Sequence, residues 1–225
     1  MGAEPGGAWN WRLFELGFRP WLRWALAGIH LEGEADPEPG RTVLLVANHC
    51  SWFDGFLLRE VHRRLGRRGV LRTVMLEREL RGRPILRFLG GTGFDPERPQ
   101  SLRGALRELA AVGERETLTV SFFPQGRIRP SWARPLGFAP GVRLLQRSLG
   151  PAVVLPVALH LETGNRVKPS AFISIGAPLP IPAGEEGPDL RTLESRVEER
   201  LDRILTHLSR HGEDAPARWP PEVPG

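Results

Sequence analysis

Apolar residues along this chain fall into two alternating patterns, short strand-length runs and stripes at helical spacing. Residues 42–47 predict a buried strand by their apolar run, and residues 70–76, 118–123, 153–159 and 171–175 predict further strands. Between them lie helical stripes. Residues 52–68 place Phe53, Phe56, Leu57, Val61 and Leu65 on one side. Residues 78–88 read as a helix interrupted by Gly82 and Pro84. Leu102, Ala105, Leu106 and Leu109 mark another helix behind a Ser101 cap, and residues 141–149 a short one. Leu190, Leu193, Val197, Leu201, Ile204 and Leu208 form a last long stripe. Strands that alternate with helices predict an α/β fold, a mixed and mostly parallel sheet flanked by helices. The division expected is an N-terminal helical arm over 1–32, an α/β domain over 41–210 and a mobile tail over 211–225, with 33–40 as linker.

The arm carries Trp9, Trp11, Phe14, Phe18, Trp21 and Trp24 among Arg12, Glu15, Arg19 and Arg23. Each charge at the centre of a membrane-spanning helix costs roughly 2.5–3.5 kcal/mol, so this segment does not read as a span. It also lacks the apolar core and cleavage site of a signal peptide. Two readings stand: a helix lying in a membrane interface, or an arm packed on its own domain. Pro20 is expected to break it into two short helices.

The composition is that of a globular protein, with 225 residues, 40% hydrophobic and 25% charged. The net charge of +5 favours an anionic partner, whether phosphate, coenzyme, acidic lipid or nucleic acid. Lys168 is the sole lysine, so the arginine excess also fits a compositional bias. No nucleic-acid-binding motif or basic recognition helix is present. The one cysteine, Cys50, forms no intrachain disulfide, which suits a reducing cytosol. The scattered histidines show no metal-ligand spacing, and no Gly-x-Ser-x-Gly turn suggests an esterase.

Four segments carry candidate chemistry. The first, Asn48-His49-Cys50-Ser51-Trp52-Phe53-Asp54, follows a buried strand, where open α/β sheets place ligands. On one continuous helix His49 and Asp54 would point about 140° apart. They meet only if His49 sits in the turn and folds back over the first helical turn. Ser51 is the expected N-cap, which leaves Asp54 ionised at the positive end of the helix. A carboxylate there fixes the imidazole tautomer and stabilises the imidazolium. An ordinary capping box, Ser51-x-x-Asp54, is the competing reading. Cys50 reads as a small packing residue.

The second segment, Phe122 to Pro130, also follows a strand. Pro124 and Gly126 force a turn whose backbone N–H groups suit an anion, and Arg127 and Arg129 add guanidinium forks. A solvated basic loop is the alternative. The third, Gly90 to Arg98, is a glycine cluster read as a turn, with Arg98 able to reach an anion at the same edge. The fourth, Leu155-Pro156-Val157, is an apolar strand interrupted by proline.

In this order the four segments resemble the lysophospholipid and glycerolphosphate acyltransferase family over roughly residues 43–180. The family's His-x4-Asp is His49 to Asp54. Its glycine-rich block ending in Asp-Arg is similar to residues 91–98. Its Phe-Pro-Glu-Gly-Thr-Arg is similar to Phe123-Pro124-Gln125-Gly126-Arg127-Ile128-Arg129, and a downstream Phe and Gly correspond to Phe138 and Gly141. The sequence departs from the family pattern in the acceptor-site blocks. Gln125 replaces Glu, Arg127-Ile128 replaces Thr-Arg with Arg129 one place late, and Pro96 follows Asp95 where Arg is usual.

The resemblance implies a glycerolphosphate-acyltransferase-like fold at the cytosolic face of a membrane, peripheral or monotopic. It implies an acyl-coenzyme A or acyl-carrier-protein donor, no resident cofactor and no metal. It implies His49 and Asp54 as the catalytic pair that deprotonates a lipid hydroxyl, 1-acylglycerol-3-phosphate by default. It implies Arg98, Pro124, Gln125, Gly126, Arg127 and Arg129 as the acceptor-binding set. Backbone N–H groups near Gly126 are the expected oxyanion donors. The alternatives are acylation of a non-phosphate lipid alcohol such as a glycolipid, and a non-catalytic membrane-surface module. The partners expected are the membrane surface, the thioester donor and the lipid acceptor, with no nucleic acid.

Overall fold

The short apolar-rich runs all become strands of one sheet. A computed structural model of the chain describes residues 8–33, 37, 40–66 and 69–220, the side chains of 8–15 and 99 excepted. In chain order the elements begin with α1 (Ala8–Ala25), β1 (Gly28–Gly33), β2 (Thr42–Ala47) and α2 (Asp54–Arg64). β3 (Val70–Leu76), α3 (Glu77–Gly82), α4 (Pro84–Phe88) and β4 (Gly91–Phe94) follow. Then come α5 (Pro99–Gly113), β5 (Leu118–Phe122), α6 (Gly141–Ser148) and β6 (Ala152–Glu162). β7 (Ser170–Ile175), β8 (Leu179–Ile181) and α7 (Leu190–His211) complete the list.

The sheet order is β1-β7-β6-β2-β5-β3-β4, with β8 beside β6. β2, β5, β3, β4 and β6 run parallel, while β7 and β8 are antiparallel to β6, and β1 is parallel to β7. The sheet is therefore mixed and mostly parallel. β2 shows why its sequence is apolar throughout. Leu44 and Val46 face one hydrophobic cluster, with α5, α6 and α7, and Val43, Leu45 and Ala47 face the other, with α1 and α2. A strand buried on both sides has no polar position to spare.

The arm differs from its expectation in two ways. α1 continues through Pro20 instead of breaking there. Proline removes one backbone bond, but Phe18, Trp21, Leu22 and Leu26 on both sides of it pack against the second cluster and hold the helix. Residues 28–33 are not arm at all; they form β1 at the sheet edge. The sequence hides this strand because it carries His30 and Glu32. The buried Glu32 carboxylate accepts from Ser174 Oγ at 2.8 Å, Arg203 Nε at 2.6 Å and Arg203 Nη2 at 2.9 Å. Those partners replace its lost water.

Other boundaries also move. The glycine cluster at 91–94 is strand β4, not a turn. A Cβ at Gly91 would lie 2.6 Å from Leu80 Cδ2, and one at Gly93 2.0 Å from Glu77 Oε2, so the glycines admit α3 against the sheet. α5 starts at Pro99 with Arg98 before it. The Ser101 hydroxyl is no N-cap; it accepts from the Asp95 N–H at 2.8 Å and pins the turn. The segment expected as a mobile tail docks as far as Pro220, because Ala215 is buried and Trp219 packs edge-on against Phe172 and His207. Residues 221–225, and most of the 33–40 linker, lie outside the described residues.

Candidate active site

The carboxyl ends of β2, β5, β3 and β4 meet at one edge of the sheet, and the first three candidate segments all emerge there. β2 ends at Ala47, and Asn48 follows, buried. Its amide donates to the Leu159 carbonyl at 2.9 Å and accepts from the Leu159 N–H at 2.8 Å. That two-point clamp on β6 fixes the backbone from which His49 projects.

His49 turns back over the start of α2. Its Nδ1 lies 2.7 Å from Asp54 Oδ2, with the His49 side chain 24% exposed and that of Asp54 0%. The same Oδ2 accepts from the N–H groups of Cys50 at 2.6 Å and Ser51 at 2.9 Å, and the Ser51 hydroxyl donates to Oδ1. Ser51 is therefore not the helix cap expected from the sequence. Phe53 occupies that position, and the Asp54 carboxylate gathers the turn upstream of the helix. Three N–H donors replace the water that burial takes from this carboxylate. Its bond to Nδ1 makes Nδ1 the protonated nitrogen and leaves Nε2 as an acceptor on the open side of the ring. Phe123 stacks on the imidazole at 4.5 Å between centroids. This geometry can take a proton from a hydroxyl brought to Nε2.

Cys50 has no nucleophilic character. Burial, and the Asp54 carboxylate beside it, push its thiol up, and Sγ donates to the Leu159 carbonyl at 3.3 Å.

The loop after β5 wraps the other side of His49. The His49 N–H donates to Gln125 Oε1 at 2.6 Å, and Gln125 Nε2 donates to the Leu136 carbonyl at 3.0 Å. The Arg129 N–H donates to the His49 carbonyl at 2.8 Å. Arg129 Nη1 donates to the carbonyls of Leu136 at 2.7 Å and Pro135 at 3.0 Å. Pro124 is buried, and its carbonyl accepts from the Ala139 N–H at 3.0 Å. Gly126 sits at φ +62, the left-handed conformation that the tight turn requires. Its own N–H donates to the Phe123 carbonyl at 3.1 Å and is committed to the turn. The N–H groups of Arg127 and Ile128 have no protein acceptor among the described residues.

The acceptor-binding set therefore divides. Pro124, Gln125, Gly126 and one end of Arg129 hold the loop together. Arg127 is exposed, and its guanidinium has no partner among the described residues. Arg98 stands at the same edge, 3.6 Å from Asp95, and is 78% exposed. It follows β4, three strands along from β2, which places it roughly 14 Å away laterally. Asn48 and Phe123, which lie in the candidate segments but carry no predicted role there, and Leu136, which lies outside them, also belong to the site. Among the described residues no three His, Cys, Asp or Glu side chains converge as a metal-ligand set.

Gln125 has a measurable share in this arrangement. Gln125→Leu leaves the His49 N–H without its partner, at a cost of about 1–3 kcal/mol, while the Leu136 carbonyl keeps Arg129 Nη1. The expected result is a lower denaturation midpoint and a lower kcat, with the acceptor KM little changed. An altered KM at unchanged stability would instead put Gln125 in contact with the acceptor.

Residues 28–160 match the family model described as Acyltransferase. The match runs from β1 to the carboxyl end of β6 and contains every candidate residue named above. Two curated relatives are similar, the 1-acyl-sn-glycerol-3-phosphate acyltransferases of Neisseria gonorrhoeae and of Neisseria meningitidis serogroup B. Each is 31% identical over 168 residues, which cover 68% of this chain and 59% of the relative. The chain thus spans about three-fifths of the length of these curated relatives.

Proposed function

The chain belongs to the acyltransferase family, and on that premise we propose that it moves a fatty acyl group from a thioester donor to the hydroxyl of a lysophospholipid-type acceptor. The donor is acyl-coenzyme A or an acyl-carrier protein, and the acceptor 1-acylglycerol-3-phosphate. The observation that carries this reading is the 2.7 Å contact of His49 Nδ1 with a wholly buried carboxylate.

In this mechanism His49 Nε2 accepts the proton of the acceptor hydroxyl as its oxygen attacks the thioester carbonyl. General-base assistance of this kind is worth about 10²–10⁴-fold. Asp54 holds the tautomer and stabilises the imidazolium. The tetrahedral oxyanion is offered the free N–H groups of Arg127 and Ile128, donors typically worth about 10²–10³-fold each. Collapse of the intermediate breaks the carbon–sulfur bond. The imidazolium returns its proton to the departing thiolate, so the pair ends as it began. The reaction belongs to membrane lipid biosynthesis on the cytosolic face, with the protein attached peripherally. Among the described residues no helix is long and apolar enough to cross a membrane.

Arg127 is the proposed contact for the acceptor phosphate. Arg127→Ala is expected to raise the acceptor KM about tenfold or more, as loss of a charge-assisted contact does, with kcat little changed. An unchanged KM would leave Arg127 a solvated side chain.

A non-phosphate lipid alcohol is a second reading. It is favoured by the commitment of Gln125 and Arg129 Nη1 to protein carbonyls, which thins the phosphate-binding set. Initial rates with phosphorylated and unphosphorylated lipid alcohols separate the two. A preference for the phosphorylated acceptor that vanishes in Arg127→Ala supports the first.

A further inference from the structure

Among the described residues, five of the nine exposed large apolar side chains ring the edge of the sheet where His49 sits. We propose that this ring, built from four separate segments, is a docking surface for a lipid bilayer bearing anionic headgroups. The proposal deepens the reading of the chain as a lipid acyltransferase by naming the face that meets the lipid.

The geometry follows from strand register. Ala47, the last residue of β2, pairs with Val157 of β6, yet β6 and β7 remain paired as far as Glu162 and Ser170. The β6–β7 hairpin therefore stands five residues, or about 17 Å, beyond the end of β2. At its tip Val167 is 100% exposed, between Arg166 and Lys168. A solvated hairpin tip has no use for a fully exposed valine there.

Contacts tie the tip to the rest of the ring. Lys168 Nζ lies 4.9 Å over the ring of Trp24, an exposed residue at the end of α1. One turn earlier in α1, Trp21 meets Trp52 at 5.8 Å, and Trp52 is half exposed in the turn after His49. On the other side, the Ser131 hydroxyl meets Nδ1 of the buried His160 at 2.6 Å, on the part of β6 that outruns β2. That bond raises the loop carrying Ile128 and Trp132 to the level of the hairpin, and Trp132 is 68% exposed. Trp24, Trp52, Ile128, Trp132 and Val167 thus surround the mouth of the site.

The charges on this edge identify the partner. Arg19, Arg23, Arg127 and Arg166 are exposed and have no carboxylate partner among the described residues, and Lys168 adds a fifth cation. Glu162 is the exposed acid at the hairpin. Aromatic rings interleaved with arginines suit the headgroup level of an anionic bilayer, where each element finds its medium. A protein partner would match a flatter, more continuous apolar patch than tips separated by cations.

The test uses the whole chain and sedimentation with vesicles of phosphatidylcholine alone or with one-quarter phosphatidylglycerol. Binding is expected to the anionic vesicles, weakened by raised ionic strength. The double variant W132S/V167S should lower the partition coefficient at least about tenfold, as withdrawal of two apolar side chains from the interface implies. Its thermal midpoint should not move, since neither side chain is in the core. Turnover on a short-chain, water-soluble acceptor and donor should match the wild type. The single variant Val167→Asp, at a fully exposed position, repeats the binding measurement without any risk to the fold. A wild type that ignores anionic vesicles, or variants that bind as well as it does, would overturn the proposal. Loss of vesicle binding by a protein inactive on soluble substrates would uphold this surface while removing the acyl-transfer reading.

Discussion

His49→Ala is expected to lower kcat/KM for acyl transfer by about 10³-fold or more while the protein stays folded. The imidazole presents its basic atom, Nε2, to the open side of the site. Its loss costs little stability, because the carboxylate of Asp54 keeps the Cys50 and Ser51 N–H groups and the Ser51 hydroxyl. The fold gives up one side-chain hydrogen bond, about 1 kcal/mol, and the stacking on Phe123. The measurement pairs initial rates with a denaturant midpoint. A folded variant with rates near those of the wild type would remove His49 from the chemistry.

Asp54→Ala is expected to damage both properties. The side chain is wholly buried, and two backbone N–H donors of the turn depend on it. Leaving both unmatched costs about 1–3 kcal/mol each, so a loss near 3–5 kcal/mol is expected, together with the loss of activity. Asp54→Asn separates the two roles. An amide oxygen in the place of Oδ2 still accepts the N–H groups, and its NH₂ can face the Ser51 hydroxyl. The negative charge that stabilises the imidazolium is gone. Asp54→Asn should therefore keep most of the stability and still lose about 10²–10⁴-fold in rate. A rate within about twofold of wild type would assign the carboxylate to the fold alone.

Much of this architecture can be read from the amino-acid order, for a physical reason. β2 is found at its full extent because a strand covered on both faces is apolar along its length, and β3 because Val70, Leu71, Val74 and Leu76 flank Arg72 and Thr73. The meeting of His49 and Asp54 also follows locally, from a turn entering a helix. What escapes is what distant residues decide. β1 is polar at His30 and Glu32 and becomes a strand only because Arg203, 171 residues later, neutralises Glu32. β4 looks like a flexible turn because its glycines answer to Leu80 and Glu77, not to their neighbours. Pro20 stays inside α1 because packing on either side outweighs one missing bond.

The acceptor loop shows the same limit. Basic and glycine-rich residues after a strand suggest anion binding, and that expectation gave equal weight to Gln125, Arg127 and Arg129. Only the folded chain distinguishes them. Gln125 and Arg129 reach carbonyls 11 and 7 residues ahead, whereas Arg127 points into solvent. The Asn48 clamp on Leu159 spans 111 residues and leaves no local trace.

The central claim is most directly tested by incubating the purified protein with acyl-coenzyme A labelled in its acyl chain and 1-acylglycerol-3-phosphate, then following the label into lipid. The account predicts a labelled diacylated phospholipid, released coenzyme A thiol in equal amount, and neither with His49→Ala. Label that enters the lipid equally well without the imidazole, or that enters no lipid alcohol from either a coenzyme or a carrier-protein donor, would contradict it.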